Sequence, residues 1–219
     1  MTPLVKVYGF PRSGNHLVMT LLAQNFYGRN LDTPGGMVGH WADRVPVPPV
    51  KYGQLSGHHG PPDWGVEHPA IYVYRDGRAV AASLWRSPHF KHPRWKRGAF
   101  TDFLHASLDW AYTPGQRAWP GQNVIEHWVS HLQSWVGQDA LWVQYEALCA
   151  NPQHFLEMFQ YRFDLPRPDK WTIPHNLVGH FPSGGAHNDS WRDLWTDEDE
   201  RWFFDIVPTG FCGIAQEGE

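Results

Sequence analysis

Val5-Lys6-Val7-Tyr8-Gly9-Phe10-Pro11-Arg12-Ser13-Gly14-Asn15-His16-Leu17-Val18-Met19-Thr20-Leu21-Leu22 is the stretch from which the rest of the chain is read. The apolar run over Leu4–Tyr8 predicts a strand, Gly9 and Gly14 bracket a tight turn, and Asn15–Tyr27 predicts an apolar helix. A glycine at each end lets the backbone curl until successive N–H groups converge. The helix N-terminus adds partial positive charge and Arg12 a full one, so Pro11, Arg12, Ser13, Gly14, Asn15 and His16 form a candidate cradle for phosphate. The alternative is a tight strand-to-helix turn that holds no ligand. The spacing Gly9-x4-Gly14 matches a nucleotide-triphosphate P-loop, but Asn15-His16 stands where that motif has Lys and then Ser or Thr. The hydroxyl that would ligate Mg²⁺ in ATP or GTP chemistry is missing.

Outward from this unit, short apolar runs alternate with helix-length segments. Strands are predicted over Gly53–Gly57, Ala70–Tyr74 and Ala140–Gln144. Helices are predicted over Gly77–Trp85, Phe100–Ala111, Asn123–Val136, Pro152–Arg162 and Asp197–Ile206, with Asn151 and Thr196 as caps. The alternation implies an α/β fold, a three-layer sandwich with a central, mostly parallel sheet of the P-loop nucleotide-hydrolase type. With 219 residues, one domain over 1–219 is expected. Charged residues are only 18%, which excludes a charge-driven disordered chain, and 21 Gly with 19 Pro predict many loops, concentrated in Gly28–Pro62 and Leu165–Asp193.

A formal charge of −4 argues against a nucleic-acid partner, so any anion site must be local. Two cysteines, Cys149 and Cys212, are too few for a disulfide framework and point to a reducing compartment. The strand begins within a few residues of Met1 and no apolar run approaches ~18 residues, so neither a signal peptide nor a membrane span is expected and the location is read as cytoplasmic. Oligomeric state has no sequence signal.

The second cluster is Ala70-Ile71-Tyr72-Val73-Tyr74 running into Arg75-Asp76-Gly77-Arg78, with Ser83 two turns along the next helix. Arg75 leaves the carboxyl end of a strand, where ligands of open α/β sheets collect, and Asp76 is placed to cap the helix. An Arg fork and a Ser hydroxyl can hold a second phosphate; the competing reading is a surface Arg paired with Asp76 and a buried Ser. His127 and His131, four apart on one helix, lack a third ligand nearby and are expected on a solvated face, so no metal site is assigned. The basic and aromatic patch Lys91–Arg97 reads as a lid over an anion or as a solvated loop.

These residues together resemble the sulfotransferases that use 3′-phosphoadenosine 5′-phosphosulfate (PAPS). Pro11-Arg12-Ser13-Gly14 is similar to the loop that binds the 5′-phosphosulfate there, and Arg75 with Ser83 eight positions on is similar to the 3′-phosphate pair. Trp128 to Trp135, Trp142 through Leu148 and Asn151-Pro152 resemble the family's Trp-rich helix, its Tyr-Glu strand end and the helix after it. The resemblance puts Tyr145 against the adenine and assigns the late segment from Gly184-Gly185 to Trp191-Arg192 to the 3′-phosphate. Two departures stand out. Asn15-His16-Leu17 replaces Thr-Thr-Trp, and Phe181-Pro182-Ser183-Gly184 lacks the Arg-Lys before its glycine.

The implied reaction moves a sulfuryl group from PAPS to a hydroxyl or amine of a small-molecule or carbohydrate acceptor and releases adenosine 3′,5′-bisphosphate (PAP). A transferring sulfuryl group carries less charge than a phosphoryl group, so backbone amides and Arg12 could neutralise the leaving phosphate without a metal. The acceptor needs a base near pH 7, and Gly53-Gln54-Leu55-Ser56-Gly57-His58-His59-Gly60 offers two. His58 is chosen because it comes first after the strand, with His59 the alternate. The rival readings are a P-loop nucleotide or small-molecule kinase and a non-catalytic nucleotide-binding module.

Overall fold

In the computed structural model, which describes residues 5–27, 38–39, 55–66, 69–87, 98–107, 119–173, 190–208 and 210–211, the opening strand and helix form: β1 is Val5–Gly9 and α1 is Asn15–Phe26. Next come β2 (Val38–Gly39), β3 (Leu55–His58), a 3₁₀ turn at Pro62–Trp64, β4 (Ala70–Tyr74), α2 (Gly77–Arg86) and α3 (Phe100–His105). The chain continues through α4 (Val124–Trp135), β5 (Ala140–Gln144), α5 (Tyr145–Ala150), α6 (Pro152–Arg162), a 3₁₀ turn at Ser190–Asp193 and α7 (Asp197–Ile206). The strands pair in parallel in the order β2-β3-β1-β4-β5.

Period-two alternation gives the sheet two apolar faces. On one, Tyr8, Tyr72 and Trp142 meet α2, α3, α4 and α7 through Val80, Leu104, Trp128, Trp135 and Phe203. On the other, Val7, Ile71, Val73 and Val143 meet α1, α5 and α6 through Leu21, Leu148 and Phe159. The result is the three-layer α/β sandwich that the alternation implied. Aromatic rings fill the first face: Tyr72 stacks on Trp135 at 4.8 Å between centroids, and Trp135 also meets Tyr8 at 4.5 Å. No helix among the described residues is long and apolar enough to cross a membrane.

Boundaries depart from expectation at two helices. The helix expected over Phe100–Ala111 stops at His105, because Ala106 is already extended at φ −70°, ψ 137°. The short helix α5 is an addition; it forms directly after β5, where the sequence reads only as a strand end. Asn151 both ends α5 and starts α6: its N–H reaches Ala147 O at 2.9 Å while its side chain accepts from His154 N at 3.1 Å. Asn123 and Thr196 form capping boxes, in which the cap side chain accepts from the third residue's N–H and that residue's carboxylate accepts from the cap's N–H.

Candidate functional site

The strand register decides which residues meet. Gly9 lies opposite Val73, Val73 opposite Val143, and Tyr8 opposite His58. The segments leaving the strands therefore gather along one edge: loop 10–14 after β1, His59 after β3, Arg75 after β4 and Tyr145 after β5. α1 leaves β1 toward one face and α2 leaves β4 toward the other, the arrangement that makes ligand crevices in open α/β sheets.

The loop is held in a curled form at both ends. A Cβ on Gly9 would come within 2.5 Å of Val73 O and of Asn15 Oδ1, so only glycine fits between strand and helix. Gly14 has φ +110°, and a Cβ there would overlap the ring of Tyr145. Arg12 is left-handed at φ +72°, a conformation that costs a non-glycine residue about 1–2 kcal/mol. Ser13 N donates to Phe10 O at 3.1 Å, and Asn15 Nδ2 to Val7 O at 3.3 Å. Pro11, Ser13 and Asn15 are buried, and His16 is half-buried with its carbonyl accepting from Thr20 Oγ1 at 2.8 Å.

Two guanidinium groups meet above this loop. Arg12 Nε donates to Ser83 Oγ at 3.0 Å, across 71 residues of sequence, and Arg75 Nη1 reaches Arg12 O at 3.4 Å. Arg75 is 6% exposed and lies 4.4 Å over the Tyr145 ring, yet its Nε has no hydrogen-bond partner among the described residues; Ser13 Oγ, also buried, has none among them either. Burial, and then the like charge of Arg75, hold the Arg12 guanidinium below its ordinary range, with Tyr145 opposing. Burial pushes the Tyr145 hydroxyl up to about 12, so it stays neutral at physiological pH. Two cations, a buried hydroxyl and an N–H of Arg75 without a partner among the described residues make a site that an anion would complete.

The competing surface reading of Arg75 is overturned. Asp76 pairs instead with Arg78, whose Nη2 sits 2.8 Å from Oδ2, and Asp76 caps α2 by accepting from Arg78 N at 2.8 Å. The Asp76 main-chain N–H donates to Glu146 Oε1 at 3.1 Å, tying the end of β4 to α5; burial raises the Glu146 carboxyl. Tyr145 lies at the same edge. Its ring, 5% exposed, is committed to Gly14 and Arg75, so it seats the loop and the cation. Arg192 is exposed on the 190–193 turn with its guanidinium 4.6 Å from the Trp191 ring, which Arg78 covers at 4.2 Å. Gly184 and Gly185, like the Lys91–Arg97 patch, lie outside the described residues.

His59 comes directly after β3, is 5% exposed, and its Nδ1 is hydrogen-bonded to Gly9 O. A carbonyl can only accept, so the neutral ring carries its proton on Nδ1 and its lone pair on Nε2. His58 is the last residue of β3 and is described through its backbone alone. His127 and His131 correct the solvated-face reading: they are 1% and 0% exposed, packed edge-on against Phe10 at 5.1 and 5.6 Å. The i, i+4 spacing misleads here because the neighbouring Trp128, Val129 and Leu132 are buried with them, and the buried face of α4 takes in whatever lies among them. No group of three or more His, Cys, Asp or Glu among the described residues is placed to hold a metal ion.

Over 94% of its length the chain is similar in structure to mouse sulfotransferase SULT7A1 complexed with PAP, covering 82% of that chain with a TM-score of 0.57 and 13% sequence identity. At that identity the likeness shows a sulfotransferase-like α/β fold. By sequence, no family model and no curated protein matches.

Proposed function

We propose that the protein is a sulfotransferase that takes a sulfuryl group from PAPS and delivers it to a hydroxyl or amine of a small-molecule or carbohydrate acceptor, in the cytoplasm. The observation that carries this reading is the meeting of Arg12, Ser83 and Arg75 at the start of α1. Ser13 Oγ and Arg75 Nε, buried without hydrogen-bond partners among the described residues, support an anion with several acceptor oxygens. A solved sulfotransferase of similar fold that carries PAP adds support for the donor class.

The residues divide the work. Arg12 and the amides of Ser13 to Asn15 hold the 5′-phosphate end and Arg75 and Ser83 the 3′-phosphate end, with Tyr145 as the floor beneath Arg75. The two anion sites, separate in the sequence, adjoin through the Arg12–Ser83 bond, so one nucleotide would span them. When bound, PAPS supplies a sulfuryl group whose S–O bond to the 5′-phosphate breaks as a new S–O or S–N bond forms, leaving PAP. His59 Nε2 takes the acceptor's proton, with His58 the neighbouring candidate. Preorganised cations at the leaving phosphate stabilise its developing charge.

Calorimetric titration with PAP and, separately, ATP–Mg²⁺ tests the site: PAP is expected to bind more tightly, and Arg75→Lys to weaken it by roughly tenfold or more through loss of the fork. Labelled PAPS offered with a phenol, a hexose and an amine tests transfer. Preference for ATP–Mg²⁺ would favour a kinase, and PAP binding without transfer to any acceptor a nucleotide-binding module.

A further inference from the structure

A chain of hydrogen bonds runs from the middle of the sheet to the beginning of the phosphate loop, and the proposed chemistry uses only its last link. Tyr72 OH lies 2.8 Å from His131 Nδ1, His131 Nε2 lies 3.2 Å from His59 O, and His59 Nδ1 bonds Gly9 O. All three side chains are buried, at 0% exposure for Tyr72 and His131 and 5% for His59. The direction of every link is set by the ends. The His59 carbonyl accepts only, so neutral His131 carries its proton on Nε2; Nδ1 then accepts from the Tyr72 hydroxyl. The aromatic shell fixes the ring itself: Tyr72 stacks on it at 5.7 Å and 22°, and Phe10 meets it edge-on at 5.6 Å.

We infer that His131 is a positioning residue: from inside α4 it holds the main chain of His59, so that the His59 imidazole keeps its proton against Gly9 and offers Nε2 as the basic nitrogen. The main-chain bond sets where the Cα–Cβ vector of His59 points, and the Gly9 carbonyl sets the ring about it. Without the first, His59 can turn away from Gly9 and its tautomer is no longer imposed. The link also couples the base to the loop, since Gly9 is the residue at which β1 turns into the anion cradle. This inference rests on the sulfuryl-transfer reading for its function, though its geometry can be read without turnover.

The test uses the full chain labelled with ¹⁵N, and long-range ¹H–¹⁵N correlation of the His59 ring, assigned by difference with His59→Gln. Wild type and His131→Gln are expected to show the Nδ1-protonated tautomer, because the Gln amide reaches the place of Nε2 and still donates to the His59 carbonyl. His131→Ala is expected to show mixed tautomers while PAP affinity stays within about threefold. In the same series kcat for transfer should fall about tenfold or more in His131→Ala and recover in His131→Gln. Should His131→Ala not fold, His131→Asn, whose amide is too short to reach His59 O, makes the same comparison. A His59 tautomer unchanged in the Ala or Asn variant, or lost in Gln as fully as in Ala, overturns the positioning role. Absence of transfer by wild type with the expected tautomers overturns the sulfuryl-transfer reading and leaves the positioning result standing.

Discussion

Arg12 shows how a single side chain is directed by what surrounds it. Its backbone is left-handed, its guanidinium is half-buried beside a like charge, and its Nε finds Ser83 on α2. Ser83 is thus placed to hold the direction of a cation that repulsion from Arg75 would otherwise turn outward. Ser83→Ala is expected to lower PAP affinity about tenfold or more, the size of one hydrogen bond to a charged group, with little change in unfolding midpoint. Calorimetry and a urea titration on the same preparation check it; unchanged affinity would mean that Ser83 does not orient Arg12. The sequence shows both residues but not their bond, because the eight-residue offset from Arg75 to Ser83 says nothing about a partner 71 positions away.

Among the elements, α2 is anchored at both ends. Near its start, Arg78 pairs with Asp76 and lies under Trp191, and Trp195 Nε1 donates to Arg78 O at 3.2 Å. At its end, Arg86 donates to Ser190 Oγ and O at 2.9 and 2.8 Å. The 190–195 segment is therefore clamped along the helix that carries Ser83. Arg78→Lys keeps the charge but loses the fork and the flat stacking surface, and is expected to destabilise by about 2–3 kcal/mol in urea unfolding. Faster amide hydrogen exchange at Trp191 and Trp195 should accompany the loss; protection unchanged from wild type would show that Arg78 does not hold the segment. The sequence announces α2 by its Asp76 cap, and nothing in it announces that Arg78, rather than Arg75, takes Asp76.

At the scale of the whole molecule, the buried His131 couples folding to pH. Burial, followed by its neighbour His127, lowers its pKa to about 3, against bonds to the His59 and Gly60 carbonyls that raise it. Unfolding exposes it to protonation near 6.5, so the folded state binds fewer protons in between. The stability from this group is present above about pH 6.5 and declines as pH falls toward about 3, by up to about 1.4 kcal/mol per pH unit. His131→Gln cannot titrate, so its loss of stability between about pH 7 and about pH 4 should be shallower than that of wild type in parallel urea series. Equal slopes would show that His131 does not govern the acid limb.

Local chemistry was legible in the amino-acid order alone. Short apolar runs define β1 and β4, Gly9 and Gly14 mark a curled turn, and Asn123, Asn151 and Thr196 announce helices through short-range bonds. These signals act within about four residues, which is why they survive without knowledge of the fold. Only the tertiary structure decided that Arg12 meets Ser83, that Arg75 lies on Tyr145, and that His131 reaches His59 from the core. Those meetings depend on parallel register, which aligns the ends of β1, β3, β4 and β5 at one edge, and on the burial of α4 against the sheet, and neither is encoded in any local stretch of residues.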